Sequence, residues 1–214
     1  GDRSSTLTYD ARGHLETITD PAGRVTAFDH DLAGRVLTQT LPDGRVIGFS
    51  TDANGNVTSI TPPGRPSHGF TYTPVNLQET YTPPDVGIGP TATAYGYNLD
   101  KQLTTITRPD GQGVVFGYDT QGRLGTITAP HGVTTLIYDP TTGTLTGMTT
   151  PDGQQLSYTH DGFLETGVTW SGAVAGSVSR DFNADFRVRE TKVNGALSVS
   201  YAYDTAGLLT GAGG

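Results

Sequence analysis

The residues able to do chemistry are few, and their spacing argues against a catalytic centre. The five histidines stand at 14, 30, 68, 131 and 160, and none forms the close His or Cys pair that a zinc site needs. His14 and His131 fall at variable turn or strand-start positions, and His30 replaces an aromatic residue in a recurring motif. Asp52-Ala53-Asn54-Gly55-Asn56 places oxygen ligands at alternate positions, as a calcium loop does. The glutamate that such a loop requires further on is missing. No serine sits in a Gly-x-Ser-x-Gly nucleophile elbow. Trp170, the single tryptophan, falls in an insertion and reads as a loop residue, whose indole either stacks on a sugar or packs against a neighbouring repeat. The expectation is a non-enzyme, with no catalytic, cofactor-binding or metal-binding residue.

What must be positioned is therefore a surface, and the chain builds it by repetition. Tyr118-Asp119-Thr120-Gln121-Gly122-Arg123-Leu124 recurs, in degraded form, ten times. Its aromatic position falls at Tyr9, His30, Thr51, Tyr72, Tyr97, Tyr118, Tyr138, Tyr158, Phe182 and Tyr203, with spacings of 21, 21, 21, 25, 21, 20, 20, 24 and 21 residues. A sustained period of this size marks a repeat architecture. Each repeat carries two turns. The first reads Asp-x-x-Gly, as at Asp10–Gly13 and Asp119–Gly122: the aspartate caps a type I turn and the glycine takes the left-handed conformation that closes a bulged hairpin. The second reads x-Pro-x-Gly, as at Pro21/Gly23, Pro109/Gly111 and Pro130/Gly132.

The six or seven residues left between turns alternate with period two, as in Leu7/Tyr9, Phe70/Tyr72 and Phe116/Tyr118. Thr-Ile-Thr recurs in the return strands, a composition suited to a half-exposed β surface. Leu15/Ile18, Leu103/Ile106 and Leu124/Ile127 are three apart, so either both faces are partly buried or a bulge re-aims one residue. The fold expected is all-β: about ten hairpins in a coiled antiparallel strip spanning residues 1–214 as one array.

Thirteen basic against 21 acidic residues give a formal charge of −8, which lacks the basic stripe of a nucleic-acid binder and disfavours anionic membranes. There is no cysteine, hence no disulfide framework. No apolar run reaches the roughly 18 residues of a membrane-spanning helix.

The motif Tyr-Asp-x-x-Gly-Arg-Leu, followed by Thr-x-Thr-x-Pro-Asp-Gly, resembles the YD repeats of the Rhs family. That family takes in bacterial polymorphic toxins, the shell components of insecticidal toxin complexes, and teneurins. The cleanest copies are 9–25, 118–132 and 203–209. Residues 72–77 read as a copy missing one residue and its glycine, and Lys101 replaces the glycine in 97–103, so those turns are expected to differ in shape. The resemblance implies a secreted or cell-surface bacterial protein whose β-strip closes into a shell around a passenger toxin domain of the same polypeptide. The family's self-cleaving core segment, with its aspartate pair, has no match; Asp29 and Asp31 read as turn residues, and no protease activity carries over.

Both ends look cut, which makes the chain a piece of a longer array. Open edge strands near 4–9 and 199–209 are then expected to pair with remaining shell repeats or with another copy. The alternative to a shell is an extracellular adhesion array that contacts carbohydrate or protein through the longer stretches at 73–94 and 168–179.

Overall fold

The computed structural model describes residues 4–85, 87, 89, 91–162 and 164–213. Among these residues the regular structure is all β-strand, twenty strands of four to eight residues, with no helix. They fall into two compact units, 1–113 and 114–214.

In the first unit the strands are β1 (Thr6–Tyr9), β2 (Leu15–Thr19), β3 (Val25–His30), β4 (Val36–Thr40) and β5 (Val46–Thr51), continuing with β6 (Val57–Thr61), β7 (His68–Tyr72), β8 (Gln78–Thr82), β9 (Thr93–Tyr97) and β10 (Leu103–Thr107). Each pairs antiparallel with the next in sequence, from β1–β2 through β9–β10. The second unit contains β11 (Gly113–Tyr118, all but its first residue), β12 (Leu124–Ala129), β13 (Gly132–Tyr138), β14 (Leu145–Thr149) and β15 (Gln155–Asp161). It continues with β16 (Leu164–Ser171), β17 (Gly176–Phe182), β18 (Val188–Val193), β19 (Leu197–Tyr203) and β20 (Leu209–Gly213). It is the same kind of meander, each strand hydrogen-bonded to its neighbour in sequence. The expected free strand near 199–209 is thus displaced. β19 is paired on both sides, and the last strand is β20.

A bulge resolves the three-residue spacing. Tyr9 faces Leu15, yet Thr8 faces Thr17, so Glu16 has no opposite number. The same slip skips Leu37, Thr58, Glu79 and Thr104, then Gly125, Thr146, Thr166, Arg189 and Thr210. One extra residue moves the rest of the return strand onto the opposite face. Ile18 therefore joins Leu15, opposite Leu7 and Tyr9.

The two faces are consequently unlike. In the first unit one face collects Leu7, Tyr9, Phe28, Phe49, Phe70, Tyr72, Tyr95 and Tyr97, with aliphatics from the return strands. The other holds small and hydroxylated residues in register, such as Thr38–Gly48–Thr61 and Ser59–Gly69–Thr82. Among the described residues no apolar side chain is fully buried. The hydrophobic contribution comes from half-covered rings touching the next hairpin, as in a repeat solenoid, and not from a central core.

Residues 72–77 correct the expectation of a shortened copy. Tyr72 faces Gln78 just as Tyr9 faces Leu15, and Asn76 (φ 62°) takes the glycine's place. Lys101 (φ 63°) does the same, so both turns keep the common shape. Pro130/Gly132 departs the other way: Ala129 faces Gly132 across a two-residue turn of Pro130 and His131. In the eighth repeat His160, not Tyr158, occupies the aromatic position, because the slip lies between Thr159 and His160. Trp170 does not sit in a loop. It lies in β16 opposite Gly176, and a Cβ at residue 176 would come within 2.5 Å of the indole, so the absent side chain makes room for the ring.

Candidate functional site

The feature that recurs is the contact between successive repeats, and one copy shows how it is made. Asp119 opens its turn by accepting, through Oδ1, the backbone N–H groups of Gln121 and Arg123, each at 2.9 Å. Its Oδ2 accepts Arg123 Nε at 2.7 Å. The guanidinium fixed in this way lies 4.5 Å from the centroid of the Tyr138 ring, one repeat further on. That geometry is favourable because the π face is the negative side of the ring. The Tyr138 hydroxyl then donates to the Leu124 carbonyl at 2.8 Å. Gly122, at φ 77°, lets the chain double back so that Asp119 and Arg123 meet.

The staple recurs in both units. Tyr72 donates to the Val57 carbonyl, Tyr97 to Gln78 and Tyr203 to Val188, at 2.8, 2.8 and 2.9 Å. Arg187 lies 5.7 Å from the Tyr203 ring centroid. Arg35, clamped to Asp31 at 2.6 Å, instead sends Nη1 to the Asp52 carbonyl at 2.6 Å. Among the x-Pro-x-Gly turns, Asp20, which opens its turn, makes the same clamp to Ala22, Arg24 and the Arg24 side chain, whereas Asp43, placed after its proline, accepts Arg45 N and Nε two residues on.

These carboxylates are held in their charged form. Asp31 is lowered from 3.8 to about 2, first by the Arg35 backbone N–H and then by the Arg35 side chain. Asp119, Asp20 and Asp10 are lowered chiefly by the backbone N–H of Arg123, Arg24 and His14 respectively. Asp52 is lowered first by the Asn56 side-chain amide. The calcium-like stretch is thus a turn: Asp52 is filled by its own N–H donors, and the Asn54 and Asn56 amides donate to Asn76 Oδ1 one repeat on. Asp29 is a strand residue of β3, not a turn residue, and accepts the Thr38 hydroxyl at 2.7 Å.

Two of the histidines serve the same contacts. His14 occupies the arginine position and His30 the aromatic position, with ring centroids 5.3 Å apart. His68 Nδ1 lies 2.8 Å from the Tyr81 hydroxyl across the strand pair next to it. Thr150, Asp152 and His131 line one open recess, but the Thr150 hydroxyl is bonded to Asp152, the wrong order for activating a nucleophile through imidazole. No group of three or more His, Cys, Asp or Glu among the described residues is arranged to hold a metal ion.

Sequence reasoning missed the display of Phe186. It takes the turn glycine's place at φ 59° and is 77% exposed, beside a recess of about 540 Å³ lined in part by Asp161, Asp181, Asn183 and Arg189. The glycine missing from Asn183–Arg187 was the available signal. In the longer stretch at 73–94 the regular strand β8 accounts for 78–82, and the extra length lies in the segment that follows. Val86, Ile88 and Pro90 lie outside the described residues.

The sequence matches the family model described as Teneurin YD-shell over residues 1–214. No curated protein sequence matches the chain. Among solved structures it is similar to a chain in the crystal structure of TcdB2-TccC3-Cdc42, with TM-score 0.69 and 15% identity over 97% of this chain and 14% of that one. TcdB2-TccC3 without its hypervariable C-terminal region gives 0.70 and 14%, with the same coverage. A chain of the Photorhabdus luminescens Tc holotoxin pore gives 0.53 and 13%, over 98% of this chain and 15% of that one. At such identities the likeness is one of fold, and the chain spans only about a seventh of the length of those it matches.

Proposed function

The chain belongs to the teneurin YD-shell family, and we propose that it is a non-catalytic wall segment of a secreted bacterial toxin-type protein, enclosing a passenger polypeptide. The observation that carries this reading is a staple repeated from hairpin to hairpin in a chain whose described residues include no fully buried apolar side chain. Such a chain covers area instead of filling volume, and its stability is a sum of neighbour contacts. The outer edges of β1 and β20 are where further repeats, or another copy, add by strand pairing. No described helix is long and apolar enough to cross a membrane.

Protease protection of the full reading frame tests enclosure. A passenger within the wall should survive protease concentrations that cut it once released by denaturant. A passenger cleaved under native conditions as fast as after release would overturn the proposal.

A second reading, an extracellular binding array, draws support from Phe186. A bulky residue held at positive φ and left in solvent is costly, and such strain collects at functional sites. A glycan array separates the two: binding abolished by Phe186→Ala supports this reading, and no binding by the wild type removes it.

A further inference from the structure

Thr51 is the one position among the ten structurally equivalent sites that carries no ring. With His160 taking the place of Tyr158, every other repeat presents Tyr, His or Phe there. Thr51 occupies the same place in its hairpin as Tyr72 and Tyr138 do in theirs: it faces Val57 as Tyr72 faces Gln78, with the same one-residue slip behind it. Where a ring would lie, the structure has a recess of about 470 Å³ lined in part by Phe28, Arg35, Val36, Gln39, Phe49 and Val57. These residues all belong to the first unit, and apart from Arg35, a turn residue, they lie on its aromatic face.

The chain itself shows what such a recess accepts. Tyr138 lies beneath Arg123 and gives its hydroxyl proton to the Leu124 carbonyl. In the second repeat, one before Thr51, Arg35 corresponds to Arg123, clamped by Asp31 as Arg123 is by Asp119. Val36 corresponds to Leu124. Threonine has neither the ring to lie against the guanidinium nor the reach to bring a hydroxyl to that carbonyl. The recess therefore offers a missing phenol the Arg35 guanidinium, held by Asp31 and by the Asp52 carbonyl, a carbonyl for the hydroxyl, and two phenylalanines and two valines for the ring edges.

We propose that the Thr51 recess is a docking site for a tyrosine side chain of another polypeptide, which enters as a substitute for the absent repeat ring. The occupant is specified by the pattern of the chain's own tyrosines at 72, 97, 138 and 203. This does not depend on passenger enclosure. If enclosure fails, the ring site stands, and if the ring site fails, enclosure stands.

The test is a titration of the protein with N-acetyl-L-tyrosinamide, followed by chemical shifts of the Val36 and Val57 methyl groups. Saturable shifts are expected at those methyls and not at Val188. N-acetyl-L-phenylalaninamide, which lacks the hydroxyl, should bind about fivefold more weakly, the equivalent of one net hydrogen bond. Thr51→Tyr should fill the recess and abolish the shifts, while Thr51→Val, which keeps the recess open, should preserve them. No saturable shift, equal binding of the two amides, or undiminished binding to a folded Thr51→Tyr protein would each overturn the proposal.

Discussion

Replacing Lys101 by glycine should stabilise the protein. Lys101 closes the turn from Asn98 to Gln102, in which Asn98 N donates to the Gln102 carbonyl and Lys101 N to the Asn98 carbonyl, both at 3.0 Å. It does so at φ 63°, where an L side chain is strained. The equivalent Gly13 sits at φ 86° with nothing within 4 Å of its missing Cβ, so steric room is not what selects the residue. Two terms then compete. Left-handed backbone costs an L residue roughly 1–2 kcal/mol, whereas glycine loses about 0.4–1 kcal/mol more conformational entropy on folding. The difference favours Lys101→Gly by about 0.8 kcal/mol, or about 2–3 °C in Tm for a chain of this size. Asn76→Gly should gain less, since asparagine tolerates this region. Gly122→Val should lose about 1–3 kcal/mol, since a β-branched residue there is a true outlier. Urea and thermal unfolding followed by far-UV circular dichroism measure the global effect, and amide exchange over 95–107 measures the local one. A destabilised Lys101→Gly, with Gly13→Lys neutral, would refute the strain argument.

Three further outcomes follow from other contacts. Tyr138→Phe removes one hydroxyl-to-carbonyl bond and should cost about 1 kcal/mol, read as faster exchange across β12–β14; unchanged exchange would count against the staple. Gly176→Ala should displace the indole of Trp170 and shift the emission of the only tryptophan, at a cost of about 1–3 kcal/mol from overpacking; an unshifted spectrum would show that the ring does not lie there. The turn aspartates are depressed in the folded state, so their contribution is complete above the ordinary carboxylate value of 3.8 and is lost as pH falls towards about 2, the value for Asp31. Urea midpoints should fall across that window and fall less in Asp31→Asn, and a flat profile would contradict the clamp.

The turns and the period were legible because each rests on local chemistry. Asp10 and Gly13 form the turn their types demand, with Arg12 N 2.8 Å from the Asp10 carboxylate. What was not legible depends on pairing between strands. Leu15 and Ile18 look like residues of opposite faces until the skipped Glu16 is known, and a slip of register leaves no mark on composition. Trp170 read as a loop residue because the stretch was long, yet the added residues extend β16 and β17. Tyr158 matched the motif by type, while the slip assigns that place to His160. The arginine clamp could have been anticipated from the motif itself. The empty place beside Thr51 could not, since it exists only by contrast with rings seated in other repeats.

The skipped residue in each hairpin also bears on how such a sequence changes over generations. Pairing is set anew at every turn, so a gain or loss of residues in one hairpin stays there. The two-residue turn at Pro130-His131 and the lengthened β16 and β17 coexist with ordinary neighbours on either side. Insertions that would turn a strand of a sandwich inside out are absorbed here within one copy. A gene encoding this protein can therefore lengthen, shorten and recombine by whole or partial copies while its product keeps the same two surfaces.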